Sequence, residues 1–199
     1  MSTLSPAAPT ATGTTPTPTP TPTSGILRLQ GTTTTTIDTP DGAFTVIEAE
    51  GAVLSSGWTD TAGDLVGQIH PTIRATAFDP AASAPAPILE AVARYYDGDF
   101  AAITSVRVRQ ASGPFRVHAW DVLRTVEPGA PVTYLQYAER AGNAAAIRAA
   151  AGACAKNAAA LFVPCHRVIR TDGTLGGFRW GLAVKQRLLD REAGRLPLP

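Results

Sequence analysis

The apolar residues of this 199-residue chain fall mostly into short runs before about residue 106 and mostly at helical spacing after it, and that division limits the folds open to it. Before that point apolar and β-branched residues come in short runs punctuated by Gly and Pro, the pattern of strands and tight turns. After it they recur at helical spacing. Thr32–Ile37 is β-branched, Pro40-Asp41-Gly42 is a turn signal, and Phe44–Ala49 and Ala52–Leu54 are short apolar runs separated by Gly51. Ile26 to about Trp58 therefore reads as strands and hairpins. Thr59–Ala86 gives no clear pattern. Pro87 is expected to open a helix with Ile88, Leu89, Val92 and Tyr95 or Tyr96 on one face and Gly98 as its stop. Ser105–Gln110 alternates Val106 and Val108 with arginines, which suits an edge strand.

In the second half, Phe115, Ala119, Val122, Leu123 and Val126 share a helical face that should end near Pro128-Gly129. Thr133-Tyr-Leu-Gln136 has the form of a capping box for a short helix, Tyr134 to Ala141. Gly142 ends it, and Asn143 is placed to cap a second helix over Ala144–Ala155. The expected fold class is an α+β N-terminal domain followed by a mostly α-helical C-terminal domain with a helix-turn-helix. The expected divisions are a disordered Thr/Pro-rich tail at 1–25, a small α+β domain at 26–106, and a second domain at 107–196. The tail has no basic stretch ahead of an apolar core, so it does not read as a secretory signal. A reducing, cytoplasmic setting with two free thiols is the expectation that follows.

Net charge is +1, which taken alone argues against a nucleic-acid partner. Counted by halves, residues 1–106 hold three basic and ten acidic side chains, and residues 107–199 hold fourteen and six. The chain is thus polarised from −7 to +8. A helical pair in an electropositive segment suits a nucleic-acid surface, although two independently solvated surfaces would give the same count. No apolar run is long enough for a membrane span.

The chemistry is concentrated in Pro164-Cys165-His166-Arg167-Val168, which follows the apolar run Leu161-Phe162-Val163. A thiol reacts as thiolate, and an unperturbed pKa of about 8.5 leaves only a small ionised fraction at neutral pH. The neighbouring histidine and arginine offer a base and a positive field. By residue type, a cysteine after an apolar run is more often an inert core thiol. Zinc binding would need a fuller ligand set than two cysteines and three scattered histidines. A zinc deaminase would need a second cysteine where Val168 stands. A cysteine hydrolase would need a distant histidine, for which His70 and His118 are candidates.

With Tyr134, Arg148 and Asn157 upstream and Gly181-Leu-Ala-Val-Lys185 downstream, the pentapeptide resembles the O6-alkylguanine-DNA alkyltransferase (methylated-DNA–protein-cysteine methyltransferase) family. The resemblance runs from about Phe115 to Gly194. It implies single-turnover transfer of an alkyl group from guanine O6 in double-stranded DNA, with thymine O4 as a further substrate, to Cys165. No metal or cofactor is implied, and the protein is expected to act as a monomer away from membranes. In the roles it implies, His166 deprotonates Cys165 through a water and Glu192 holds the imidazole. Asn157 ties the turn ahead of the active-site segment to the helix-turn-helix, and Tyr134 helps rotate the nucleotide and protonate guanine. Arg148 fills the space of the flipped base, with Ala149, Tyr134 and Arg167 as further DNA contacts, and Val168, Phe178, Arg179 and Trp180 form the substrate pocket. The chain departs from the usual family pattern at Arg116, Ala144, Ala158–Ala160 and Phe178. The alternative kept beside this is an alkyltransferase-like protein that binds damaged DNA without transfer, members of which lack the cysteine.

Overall fold

The computed structural model describes Met1 and residues 31–74, 78–79 and 84–196. Apart from Met1, the expected disordered tail lies outside the described residues. Strand β1 (Thr32–Thr39) pairs antiparallel with β2 (Gly42–Ala49), Thr32 opposite Ala49 and Thr39 opposite Gly42, around Pro40-Asp41. Strand β3 (Ala52–Gly57) returns through Glu50-Gly51. Both turn residues have positive φ, 53° and 70°, which is the two-residue hairpin geometry that matches strand twist. Glycine adopts it freely, while Glu50 is anchored there by Arg107, which donates to its carbonyl at 2.6 Å, and by Arg109, paired with its carboxylate at 2.9 Å.

The stretch without a sequence pattern contributes helix α1 (Ala62–Val66) and strand β4 (Phe78–Asp79), which runs parallel to β1 and completes the sheet order β3-β2-β1-β4. The pleat sends Phe44 and Val46 into the main core, and Ile47 and Ala49 into a second cluster with Leu54, Leu65 and Ile69. Helix α2 (Ala86–Tyr96) begins one residue before Pro87 and buries Ile88, Val92, Tyr95 and Tyr96, leaving Leu89 half-buried.

Ser105–Gln110 is not the expected edge strand. A 3-10 turn at Ala102–Ser105 precedes it, and it meets β3 at one bridge, with Val53 donating to Arg107 at 2.9 Å and Arg109 donating to Val53 at 2.8 Å. The rest of that edge is occupied: Ser56 donates to Ala158 at 2.8 Å and accepts from Ala160 at 3.2 Å. Two short segments therefore share the edge that one strand would have covered.

Helix α3 (Pro114–Leu123) stops earlier than Pro128, and tighter bonds from Thr125 to Val122 and Val126 to Leu123 continue the turn. Strand β5 (Val132–Thr133) leads into α4 (Tyr134–Arg140) through the capping box, which forms in full: Gln136 donates to Thr133 Oγ1 at 3.2 Å and Thr133 donates to Gln136 Oε1 at 2.8 Å. Asn143 caps as expected, accepting from Ala145 at 3.0 Å. The single helix expected over 144–155 is a 3-10 turn, Ala144–Ala146, running into α5 (Ile147–Ala155). Strand β6 (Val168–Ile169) pairs parallel with β5, and α6 (Leu182–Glu192) closes the fold. One apolar core runs from Phe44 and Val53 of the sheet, through Leu123 and Tyr137, to Leu188 of α6. No helix among the described residues is long and apolar enough to cross a membrane.

Candidate active site

The segment that carries the cysteine is fixed by the sheet before it reaches the site. Besides the backbone bonds along β3, Ser55 Oγ donates to Ala158 at 3.0 Å and Ser56 Oγ to Ala160 at 2.7 Å. Leu161 then takes a left-handed conformation, φ 73°, which costs a non-glycine residue about 1 kcal/mol. The bonds on either side, Ala160 to Ser56 and Val163 to Ala159, hold it there. Pro164, at φ −79° and ψ 64°, makes an inverse γ-turn with Cys165 donating to Val163 at 2.8 Å. Proline restricts φ to this range, so the turn is largely preset. A 3-10 turn over Cys165–Arg167 follows, and the chain enters β6.

Cys165 is 8% exposed and forms part of the wall of a cavity of about 330 Å³ with Tyr134, Ala151, Cys154, Phe178, Arg179 and Trp180. Asn157 Nδ2 donates to its sulfur at 3.2 Å and to the Val163 carbonyl at 2.7 Å. Burial pushes the Cys165 thiol up, while the Asn157 bond and the Lys185 ammonium pull the other way without cancelling it. The resting sulfur is therefore protonated, and reaction requires a proton acceptor. Tyr134, pushed up to about 12 by burial and by the two cysteines, keeps its proton and remains a donor.

Behind the cysteine, the Glu192 carboxylate gathers five donors. His166 Nε2 meets Oε1 at 2.9 Å, Tyr95 donates to it at 2.9 Å, and Gly129 donates to Oε2 at 3.4 Å. Arg167 adds Nε to Oε2 at 2.9 Å and a second nitrogen to Oε1 at 2.8 Å. Burial alone would raise the Glu192 carboxyl, but the contacts with His166 and Arg167 outweigh it and hold the group at about 2. Burial in turn lowers the His166 pKa more than Glu192 raises it and keeps the imidazole neutral. An ionised carboxylate only accepts hydrogen bonds, so His166 carries its proton on Nε2 and a lone pair on Nδ1. Nδ1 is buried with no hydrogen-bond partner among the described residues.

Two expected roles need correction. Arg167, expected to contact DNA, is 1% exposed, and its guanidinium is committed to Glu192 and to the Val126 carbonyl at 2.6 Å. Val168, expected in the substrate pocket, is fully buried, pairs with Val132, and does not line the cavity. Phe178, Arg179 and Trp180 do line it, whereas Arg148 and Ala149 are exposed on the first turn of α5. Neither His70 nor His118 lines it, which removes the bases considered for a hydrolase. A larger cavity of about 460 Å³, lined by Arg74, Arg116 and Lys156 among others, does not include Cys165.

Four further residues at the site had no role assigned from sequence. Lys185 is buried and donates to the Val168 carbonyl at 2.6 Å and to Leu175, tying β6 and the loop before α6 together. Tyr95 had been read only as a core position. Cys154 places a second thiol in the cavity, and Gln110 bonds to Asn157 at 3.1 Å. Lys185 and Glu192 both lie on the buried side of α6, a seven-residue spacing that can signal a shared helical face.

A family model for the 6-O-methylguanine DNA methyltransferase DNA-binding domain matches residues 114–194. The Escherichia coli bifunctional transcriptional activator/DNA repair enzyme Ada is 51% identical over 79 residues, 40% of this chain and 22% of that protein. The human methylated-DNA–protein-cysteine methyltransferase is 42% identical over 80 residues, 40% of this chain and 39% of its own. The Salmonella typhimurium protein of the same name is 34% identical over 111 residues, 56% of this chain and 65% of its own. The chain thus spans less than two thirds of the length of each of these relatives. Mycobacterium tuberculosis OGT, solved in complex with DNA, superposes with a TM-score of 0.69 at 26% identity over 83% of this chain and 95% of that one. The likeness to solved structures therefore continues from the segment that carries the cysteine into the strand-rich first half, while residues 114–194 match the DNA-binding domain of the 6-O-methylguanine DNA methyltransferase family.

Proposed function

We propose that the chain repairs DNA by direct reversal, moving an alkyl group from guanine O6 to Cys165. The observation that carries this reading is a buried cysteine at a cavity wall, hydrogen-bonded by Asn157 and followed by a neutral His166 locked by Glu192. In the reaction, the Cys165 proton passes through a water to His166 Nδ1. The sulfur electron pair attacks the alkyl carbon, and the carbon–O6 bond breaks. Guanine leaves with that electron pair and is protonated from the side of the Tyr134 hydroxyl. A thioether remains on Cys165, so each chain acts once. These groups come from one chain, which supports a monomer as the working unit.

A base inside a duplex cannot present its O6 substituent for in-line attack, so the nucleotide must leave the stack. Helices α4 and α5, with the turn between them, are proposed as the helix-turn-helix that docks on DNA. The arrangement of α5 supports this: Arg148, Ala151 and Ala155 recur at three- and four-residue spacing along one stripe. Arg148 is exposed at the start of that stripe, and Ala151 and Ala155 line the cavity. A side chain entering the duplex at Arg148 would thus sit beside the route of the displaced base. Small residues on the rest of the exposed face allow close approach to a groove.

The test of the activity is the intact mass of the full chain after incubation with a duplex containing O6-methylguanine. The expected result is a gain of one methyl group that peptide mapping places on Cys165. A folded protein that gains none would overturn the proposal. For Arg148→Ala, repair within a duplex should slow about tenfold or more, since it loses part of the compensation for unstacking, while reaction with free O6-benzylguanine stays near wild type. Equal losses on both substrates would remove Arg148 from the extrusion step.

A further inference from the structure

Gln110 lies in the segment between the bridge to β3 and helix α3, and nothing in the reaction above uses it. Its side chain makes two bonds into the turn ahead of the cysteine. Oε1 accepts from the Ala158 amide at 2.8 Å, and Nε2 donates to Asn157 Oδ1 at 3.1 Å. Asn157 Oδ1 accepts a second bond from the Ala159 amide at 3.1 Å. With both bonds on its oxygen, Asn157 must present its nitrogen to Val163 and to the Cys165 sulfur. Two backbone amides, which only donate, thereby fix the direction of both side-chain amides.

We infer that Gln110 is a positioning residue for the alkyl transfer, keeping the Asn157 amide turned so that its N–H, and not its carbonyl, faces the nucleophile. The inference rests on the reading of Cys165 as the acceptor. An N–H donor at 3.2 Å favours the thiolate over the thiol, and a reversed amide would place oxygen against the developing negative charge. The other groups around the sulfur are Lys185 on α6, Arg179 in the preceding loop, Cys154 on α5, Tyr134 on α4 and the adjacent His166. Gln110→Met leaves all of these in place. It removes the donor to Asn157 Oδ1 and the acceptor for Ala158 at similar side-chain length. Gln110→Glu keeps the acceptor for Ala158 but sets oxygen against Asn157 Oδ1.

The test follows Cys165 in a Cys154→Ser background by two reactions across a range of pH: alkylation by iodoacetamide, which reports thiolate alone, and transfer from free O6-benzylguanine. With Gln110→Met the pH of half-maximal iodoacetamide reaction should rise by about one unit, the scale of one hydrogen bond to a charged group. With Gln110→Glu it should rise further, and in both variants the rate should return toward wild type at high pH. A purely structural role would lower rates at every pH without moving the midpoint. An unmoved midpoint in both folded variants, or a larger shift for Met than for Glu, overturns the inference. Should the parent protein alkylate normally with iodoacetamide but take nothing from O6-benzylguanine, the alkyl-transfer reading fails and the Gln110 result still stands on its own readout.

Discussion

Cys165→Ala is expected to take up no methyl group from O6-methylguanine DNA, whereas Cys154→Ala is expected to take up one. The prediction is not trivial, because both thiols line the same cavity. Burial raises both, and Lys185 favours the thiolate of each. What separates them is direct hydrogen bonding. Cys165 receives the Asn157 N–H at 3.2 Å, while no described side chain donates to Cys154. The positions differ too: Cys154 is held in regular helix α5, and Cys165 sits on the short turn set by Pro164, next to the residue that supplies the base. Intact mass and peptide mapping of wild type and both variants give the answer, with a melting curve to show that each is folded. Methyl transfer to Cys154, or transfer that survives in Cys165→Ala, would require a different nucleophile.

The parts of this site legible in the sequence are those written in local chemistry. The Thr133/Gln136 capping box and the Pro40-Asp41-Gly42 turn depend on residues a few positions apart, and both formed as expected. The arrangement of Pro164, Cys165 and His166 is also local, since a proline turn presents the thiol. Interactions across the fold left no such signal. Ser55 and Ser56 hold carbonyls more than a hundred residues away, and in the sequence they are two small polar residues in a strand. Gln110 meets Asn157 across 47 positions and Ala158 across 48. Arg167 was misplaced for a related reason. An arginine in a basic segment reads as a solvent-facing charge, because burial requires a partner, and its partner Glu192 lies 25 residues on. Glu192 itself was expected only to hold His166. The structure shows one carboxylate serving the imidazole, the guanidinium and the Tyr95 hydroxyl together.

That sharing makes Glu192→Gln the substitution with the largest expected effect on stability. Removing the carboxylate charge leaves Arg167, 1% exposed, as a buried cation without its counter-ion. Breaking one side of a buried pair costs about 3–5 kcal/mol, a large part of the roughly 5–15 kcal/mol that holds a domain folded. Tyr95→Phe removes one of the five donors and no charge, so its cost should be nearer 1 kcal/mol. Urea unfolding at neutral pH would order the two. Acid titration separates charge from packing. Glu192 is held at about 2 against an ordinary value of 4.5, so the stability it supplies is complete above about pH 4.5 and is lost as pH falls toward 2. His166 is held neutral below its ordinary 6.5, so the unfolded chain takes up that proton first and wild-type stability already declines below about pH 6.5. Glu192→Gln should lack the component between 4.5 and 2, and the stability difference from wild type should narrow across that window. A gap that stays constant down to pH 2 would mean that lost packing, and not the charge facing Arg167, accounts for the destabilisation.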